Sequence, residues 1–444
     1  MAETLPRPGL FWGPRMVAVA FVSLTGAFGL NLAIGQFFAP LTRQFHWGLA
    51  TLSGVVALST VMWGLVQPVM GRLIDSFGPR AVMSASAALM GVSFLLLAGV
   101  QQLWQFVILF GVVTAIGFAG CSSMPASVLV SRWYARGRPR ALAHSSMGIN
   151  AGQLLLLPLV GVLIAAAGWR PAFLVLGAIM LAIIAPIIWL GARSNPSDVG
   201  QEQDGEPGAV AGRAANARLG EALTNRQFWI TTLSFAGCGY TMYMFTAHMP
   251  KFAIELGGTE ATGGWLMALA AACSAVSMWV SGQWAARRWG KRLPLMTLHL
   301  LRAVAFGVLI FTHSIPMLIV GVVLFGLSSF PIIPLTTAVI ADRFGANAMG
   351  GILGSSWLIH QVAAGTGVFL GGLLRQLSGT YAASFASGAA VLLVSALLAS
   401  FIREQSALEP AQPTVGLPTA DTQETGISVV ARRRQAGGAA AAGG

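Results

Sequence analysis

Charged residues are scarce in this sequence. Only 9% of its 444 residues are Asp, Glu, Lys or Arg, and only 14 residues are acidic. Soluble domains carry about 25% charged residues, so a water-soluble globular protein of this length is excluded. The mean hydropathy of +0.73 and the 55% share of hydrophobic residues predict a polytopic membrane protein instead.

Cysteine is scarce as well. Cys121, Cys238 and Cys273 are far apart in the sequence and lie inside apolar runs, which excludes a disulfide framework or a cysteine metal site. We predict that they are small packing residues. No pairing of nucleophile and base and no metal-ligand cluster stands out, so we expect no enzymatic activity, no cofactor and no metal.

Long apolar runs, by contrast, fill most of the chain. A helix needs about 20 apolar residues to cross a bilayer. Twelve runs of that length predict twelve transmembrane helices, approximately at residues 14–38, 49–70, 81–101, 104–128, 141–167, 170–191, 227–253, 262–286, 294–312, 315–340, 347–374 and 380–402. The first run lacks a cleavage site, so we predict that it remains as the first helix.

Composition divides the chain into four parts. Residues 1–192 and 227–403 each hold six predicted helices and predict two bundles. Residues 193–226 are rich in Asn, Pro, Ser, Asp, Glu, Gln and Gly, which predicts a flexible cytoplasmic linker. Residues 404–444 end in Gly and Ala and predict a disordered cytoplasmic tail.

The net charge of +12 does not indicate nucleic-acid binding, because the basic residues follow the predicted topology. With a cytoplasmic N-terminus, all but five of the 26 lysines and arginines fall on the cytoplasmic side. The exceptions are Arg43, Arg170, Lys251 and Arg375 outside, and Arg302 within a span. We predict a plasma (inner) membrane protein with both termini cytoplasmic, and an Arg302 side chain that snorkels to the interface.

One segment between predicted helices 2 and 3 carries a specific motif. Residues 71–80, GRLIDSFGPR, hold an acid and two arginines that cannot lie in hydrocarbon, so we predict a turn on one membrane face. The spacing of Gly71, Leu73, Asp75, Gly78 and Arg80 resembles the G-x-L-x-D-x-x-G-x-R signature of the major facilitator superfamily. The resemblance implies the major facilitator fold, in which twelve helices form two pseudo-symmetric six-helix bundles around a central site.

Two further segments resemble the monocarboxylate porter and oxalate:formate antiporter branch of that superfamily. They are residues 35–47, GQFFAPLTRQFHW, and residues 131–152, SRWYARGRPRALAHSSMGINAG. The branch usually has Phe-Gly-Trp where this chain has Phe45, His46 and Trp47. It also uses a basic residue in helix 8 to hold carboxylates, whereas this chain has no charge between Leu266 and Val280.

The resemblance also implies a cytoplasmic latch between the two halves. The residues predicted to form it are Gly71, Asp75, Gly78, Arg80, Arg138, Asp342 and Arg343.

Polar residues in mid-span positions are the candidates for a binding site, because they tend to face a water-filled cavity or another helix. On the helix plan of the superfamily, these candidates are Asn31, Asn150, Gln153, Tyr240, Tyr243, Trp357, His360 and Gln361. For each of them, a helix-to-helix hydrogen bond is the alternative interpretation. His360 lies close to the helix 11 position where some members of the branch have a lysine, and imidazole titrates near neutral pH.

Together these features predict a monomeric secondary transporter of a small organic anion, similar to a monocarboxylate, that works by alternating access with proton coupling or exchange. A drug:proton antiporter of the same fold is the nearest alternative, although such proteins usually have an acid in the cavity and this chain has none at mid-span. A non-transporting membrane receptor or sensor is the alternative from another class. The predicted partners are a small-molecule substrate, with a carboxylate as the expected class, and the lipid bilayer.

Overall fold

A computed structural model describes residues 11–205, 217–286, 290–345 and 348–404, which fold as helices joined by short connections. Ten helical segments in these residues are long and apolar enough to span a bilayer. One of the ten, within residues 49–97, contains two predicted spans, which brings the number of spans to eleven. The helix Arg226–Glu255 is long but less apolar and is the twelfth span. The twelve spans confirm the predicted all-α fold. The predicted tail lies outside the described residues from 405 onward.

We number the spans in chain order. They are α1 Gly13–Phe45, α2 49–77, α3 79–97, α4 Leu103–Trp133, α5 Arg138–Ala167, α6 Trp169–Gly191, α7 Arg226–Glu255, α8 Glu260–Ala285, α9 Arg292–Ile310, α10 Ile315–Phe344, α11 Met349–Ser378 and α12 Ala382–Ser400. Short helices also occur at Pro196–Val199, Gln203–Gly205 and Leu219–Thr224. The predicted boundaries agree closely, except that α1 and α2 extend further than predicted.

The predicted turn at residues 71–80 is wrong in its form. The helix continues past Asp75 to residue 77, and only Gly78, with φ 80° and ψ 154°, leaves the helical conformation before α3 begins. This combination of angles is open almost only to glycine, so one residue reverses the chain. The charged residues stay on a helix because they reach beyond the apolar part of α2, where helical backbone satisfies its own hydrogen bonds.

α10 is interrupted in its middle. The segment Ile315–Ser328 ends, residues 329–331 leave the helix, and Ile332–Phe344 begins directly after Pro331. Proline lacks a backbone N–H and disrupts the preceding turn of a helix. The carbonyl groups at the end of the first segment therefore need partners from outside that helix.

The helices pack in two sets that also contact each other. α1 packs on α5 in the first half, residues 11–205, and α7 packs on α11 in the second half, residues 217–404. Across the halves, α2 packs on α11 and α5 packs on α8. We call the end of this bundle that carries Asp75, Arg138 and Asp342 the basic face, and the end that carries Glu255 and Arg375 the opposite face.

The described ends of the predicted linker are held against the bundle. The Asp204 carboxylate accepts hydrogen bonds from the backbone N–H groups of Ala135 and Arg136, at 3.0 and 2.7 Å. On the other side of the linker, the N–H of Ala217 donates to the carbonyl of Phe344 at 3.2 Å. Residues 206–216 lie outside the described part of the chain.

Replacement of Gly78 by alanine should destabilise the bundle. The change places a Cβ at a backbone conformation that alanine rarely adopts, and the Cβ would also meet the side chain of Ser194. We expect a loss of about 1–3 kcal/mol, measured as a lower thermal unfolding midpoint of the purified protein. Gly365→Ala is the matched control, because Gly365 is helical and has no neighbouring atom within 4 Å. Equal midpoints for both variants would contradict this account of Gly78.

Candidate functional site

A cavity lies where the two halves meet. Its volume is about 110 Å³. Because one water molecule needs roughly 10–15 Å³, the cavity has room for several water molecules or for one small solute. Its lining comes from α1, α2, α4 and α5 of the first half and from α7, α8 and α10 of the second. The aromatic part of this lining consists of Phe28, Trp63, Phe110, Phe118, Tyr243, Phe325 and Phe330.

Three of the predicted binding residues line this cavity. Asn31 on α1, Gln153 on α5 and Tyr243 on α7 contribute two amides and a hydroxyl from both halves. The amides of Asn31 and Gln153 make no hydrogen bond to another residue in the described ranges, so they are available to a solute. The hydroxyl of Tyr243 lies near the side chain of Gln361.

Three other predicted residues form a layer behind the cavity wall. The His360 ring stacks on Phe235 with centroids 4.2 Å apart, and its Nδ1 lies 3.0 Å from Oε1 of Gln361. Trp357 packs against His360 and against the cavity residue Trp63. His360 is 1% exposed and does not line the cavity in this conformation.

The last two predicted residues lie elsewhere. The Tyr240 hydroxyl is 2.9 Å from Oγ of Ser387 on α12, so it faces away from the cavity. Asn150 is buried, and neither of its amide atoms has a hydrogen-bond partner in the described part of the chain. The structure thus places three candidates at the cavity, three directly behind it and two at helix contacts.

The basic face is closed by a contact between the first half and the N-terminus of α11. The Asp75 carboxylate accepts hydrogen bonds from the N–H groups of Gly350 and Gly351 at 3.0 and 2.8 Å, and Arg132 lies 3.7 Å away. The first N–H groups of a helix have no partner within the helix and carry a partial positive charge. A carboxylate satisfies both needs, so Asp75 caps a helix of the other half.

A second charged contact crosses the same face. The Asp342 carboxylate at the end of α10 pairs with Arg138 at the start of α5 and with Nζ of Lys291 at 2.5 Å. Arg138 also donates to the carbonyl of Tyr134 at 2.9 Å, which fixes the guanidinium beside α4. This pairing joins the α4–α5 connection of the first half to α10 in the second.

Two of the predicted latch residues, Arg80 and Arg343, make contacts only within their own half in the described residues. Arg80 donates to the carbonyl of Trp189 at 2.8 Å and lies over its indole ring, with 4.4 Å between the guanidinium carbon and the ring centroid. Arg343 donates to the carbonyl of Arg403 at 3.2 Å.

Between the basic face and the cavity, α2 and α11 approach closely along what we call the glycine seam. The seam pairs Gly71 with Gly350, Gln67 with Gly354, and Gly64 with Gln361. A Cβ on Gly71 would overlap the carbonyl of Gly350, so the backbones touch only because both residues lack side chains. This seam, with the two charged contacts, separates the cavity from the basic face.

The opposite face has a salt bridge within the second half. Nη2 of Arg375 lies 3.0 Å from Oε1 of Glu255, and its guanidinium lies over the ring of Tyr381. Burial, reinforced by the Glu255 carboxylate, raises the pKa of Tyr381, and the positive charge of Arg375 opposes this rise. This contact joins α7 to α11 within the second half.

The expectation that Arg302 snorkels to the interface is wrong. Its side chain is fully buried and points inward from α9 toward α7 and the interruption of α10. The sequence held a signal for this. Leu295, Leu298, Arg302 and Phe306 recur at helical spacing on one buried face, so the arginine shares the inward face of α9.

No group of three or more His, Cys, Asp or Glu side chains that could hold a metal ion occurs in the described residues. Cys121 and Cys238 are buried free thiols, and Cys273 is partly exposed. The chemistry offered by the cavity is therefore that of amides, hydroxyls and aromatic rings.

Comparison with known proteins gives a consistent assignment. The family model described as Major Facilitator Superfamily matches residues 16–365 and 255–441. The uncharacterized MFS-type transporter YcxA of Bacillus subtilis (strain 168) is 26% identical over 388 residues, which cover 83% of this chain and 90% of the relative. Monocarboxylate transporter 13 of Bos taurus is 24% identical over 398 residues, which cover 88% and 90%.

Solved structures agree at the level of the fold. The proton:xylose symporter XylE, solved with a bound glucose derivative, superposes with a TM-score of 0.74 over 89% of this chain and 97% of that chain. The sequence identity is 15%, so this likeness concerns the arrangement of helices.

Asp75→Asn should loosen the N-terminus of α11. The substitution removes the negative charge that faces two helix N–H groups, and hydrogen bonds to a charged acceptor are roughly twice as strong as neutral ones. We expect faster hydrogen–deuterium exchange in peptides covering residues 349–354, measured by mass spectrometry. Glu221→Gln is the control, because Glu221 caps only its own short helix through the Arg218 N–H. Unchanged exchange at residues 349–354 would show that the carboxylate is not what holds this contact.

Proposed function

The chain belongs to the major facilitator superfamily, and from this premise we propose that it transports a small organic anion similar to a monocarboxylate by alternating access. The coarser description, an integral multi-pass membrane protein of a family of secondary transporters, follows from the family and from the apolar helices. The substrate class and the mode of coupling are our proposal. We also propose that the chain catalyses no covalent reaction.

One observation carries this proposal. The cavity between the halves combines the amides of Asn31 and Gln153 and the hydroxyl of Tyr243 with aromatic walls. A short carboxylate has a polar end that amide and hydroxyl groups can hydrogen-bond and an apolar end that aromatic rings can cover. The named relatives include monocarboxylate transporters of several mammals, which supports the same substrate class.

We propose two roles for the predicted binding residues. Asn31, Gln153 and Tyr243 contact the solute in the conformation described here. Separation of the glycine seam would expose polar atoms that have no hydrogen-bond partner among the described residues, including Nε1 of Trp63, Nε2 of His360 and Nε2 of Gln361. In this proposal these atoms, with Trp357 and Asn150 behind them, complete the site when the basic face opens, whereas Tyr240 stays bonded to Ser387 outside it.

Coupling is required by the charge of the proposed solute. Moving one negative charge across a potential of 100 mV changes its free energy by about 2.3 kcal/mol. Uptake against an inside-negative potential therefore needs a co-transported proton or an exchanged anion. We propose that the basic face is the cytoplasmic one, because lysine and arginine are enriched on the cytoplasmic side of membrane proteins.

The aromatic lining also favours a second candidate, a drug:proton antiporter. Phe28, Trp63, Phe110 and Phe118 would accommodate an apolar ring system. Efflux of a fluorescent dye from cells that express the protein, without inhibition by short carboxylates, would favour this candidate. Proteoliposomes that show flux of neither class would instead favour a receptor or sensor.

Two tyrosines one helical turn apart allow a matched test of the site. Tyr243 lines the cavity, whereas Tyr240 bonds to Ser387 on α12. We expect Tyr243→Phe to weaken uptake of radiolabelled short carboxylates into proteoliposomes, with KM raised about 3- to 10-fold, the equivalent of one hydrogen bond of roughly 1 kcal/mol. Tyr240→Phe should leave KM within about twofold of the wild type, because the Tyr240 hydroxyl bonds to Ser387 and not to the solute.

The assay uses an imposed pH gradient and, separately, a high internal concentration of unlabelled carboxylate, so that proton coupling and exchange are distinguished. Equal effects of the two tyrosine substitutions would argue against the assigned cavity. An absence of carboxylate flux under both conditions would overturn the proposed function.

A further inference from the structure

Arg302 is a cation buried in the second half. It lies on α9, its side chain has no solvent exposure, and it is among the largest fully buried side chains of the described residues. An isolated charge in a protein interior costs several kcal/mol unless other groups compensate it. The partners of Arg302 therefore decide what this charge can do.

Every recorded partner of the guanidinium is a neutral acceptor. Nη1 lies 3.4 Å from the carbonyl of Cys238, 3.3 Å from its Sγ and 3.4 Å from Oγ1 of Thr241. Nη2 donates to the carbonyls of Ser328 and Ser329. No carboxylate pairs with Arg302 anywhere in the described ranges.

These acceptors hold the guanidinium without cancelling its charge. Ser328 and Ser329 lie where the first segment of α10 ends, and the last carbonyls of a helix carry a partial negative charge and lack helical partners. Arg302 supplies the missing donors and thereby fixes the interruption of α10. Carbonyl dipoles stabilise a cation, but they leave its full positive charge in place, and that charge acts over distance in a medium of low dielectric constant.

The charge lies directly behind the cavity wall. The guanidinium carbon of Arg302 is 5.5 Å from the ring centroid of Phe325, and Phe325 and Ser329 both line the cavity. No acidic side chain in the described residues lines it. The field of Arg302 therefore reaches a solute in the cavity with no carboxylate in the lining to offset it.

We propose that Arg302 determines the charge selectivity of the cavity, favouring anions over neutral solutes of the same shape by acting through Phe325 and the α10 interruption without touching the solute. This inference rests on the proposed function and deepens it. No lysine or arginine of the described residues lines the cavity, so the charge of Arg302 acts from behind its wall.

The test compares affinities for a carboxylate and for its primary amide, because a purely structural role would change both equally. Radiolabelled propanoate, lactate and benzoate, and the three amides, are measured by equilibrium dialysis against purified full-length protein. Cys238→Asp places a negative charge beside Arg302 and neutralises it, and Cys238→Asn is the matched neutral control. Arg302→Gln removes the charge, and Arg302→Lys keeps it.

We expect Cys238→Asp and Arg302→Gln to reduce the preference for carboxylate over amide about tenfold, the effect of a charge roughly 10 Å away at an effective dielectric constant of about 20. Cys238→Asn and Arg302→Lys should keep the preference within about twofold, because the positive charge remains in both. If Arg302→Gln does not fold, the Cys238 pair gives the answer, because an aspartate there forms an ion pair and leaves the arginine in place.

An unchanged preference in Cys238→Asp would overturn the inference while the proposed function stands. Wild-type protein that binds the amides as well as the carboxylates would overturn the inference and count against the proposed function. Failure of every carboxylate to bind would count against both.

Discussion

The structure depends on one constraint, that a polar group between membrane-spanning helices must find its partner inside the protein. Asp75 meets this constraint at the N–H groups of α11, and Arg138 and Lys291 meet it at Asp342. In each case the partner belongs to a different helix, so satisfying the polar group also fixes the packing. The two halves are joined at the basic face because Asp75 and Arg138 of the first half have partners in the second half.

The spans could be predicted from the sequence because hydrocarbon selects for length and apolarity, which are local properties. The turn at residues 71–80 could not, because its form depends on where the α11 N-terminus lies. Asp75 remains helical and reaches Gly350 and Gly351, which are distant in sequence. The prediction of a turn between the two spans required only that charged residues cannot lie in hydrocarbon, whereas the extent of the helix before Gly78 required the partner.

The site could be predicted in part. Mid-span polarity identified Asn31, Gln153 and Tyr243, which line the cavity, but it could not separate Tyr243 from Tyr240. The two differ by three positions on one helix, and which of them faces the cavity is set by the rotation of α7 against its neighbours. The prediction that Arg302 snorkels to the interface is wrong for a related reason, because its burial follows from the helix face it occupies.

The contacts at the basic face also have a consequence for how the protein is made. Asp75 and its partners at the start of α11 are separated by 275 and 276 residues, and Arg138 and Asp342 by 204. Chain synthesis adds about 5–20 residues per second, so the first half waits on the order of tens of seconds at the ribosome before these partners exist. During that interval α1 can already pack on α5, and Asp75 has Arg132 of the first half beside it but not its two N–H partners on α11. Nascent chains halted before residue 350 therefore lack the contact by which the first half caps α11.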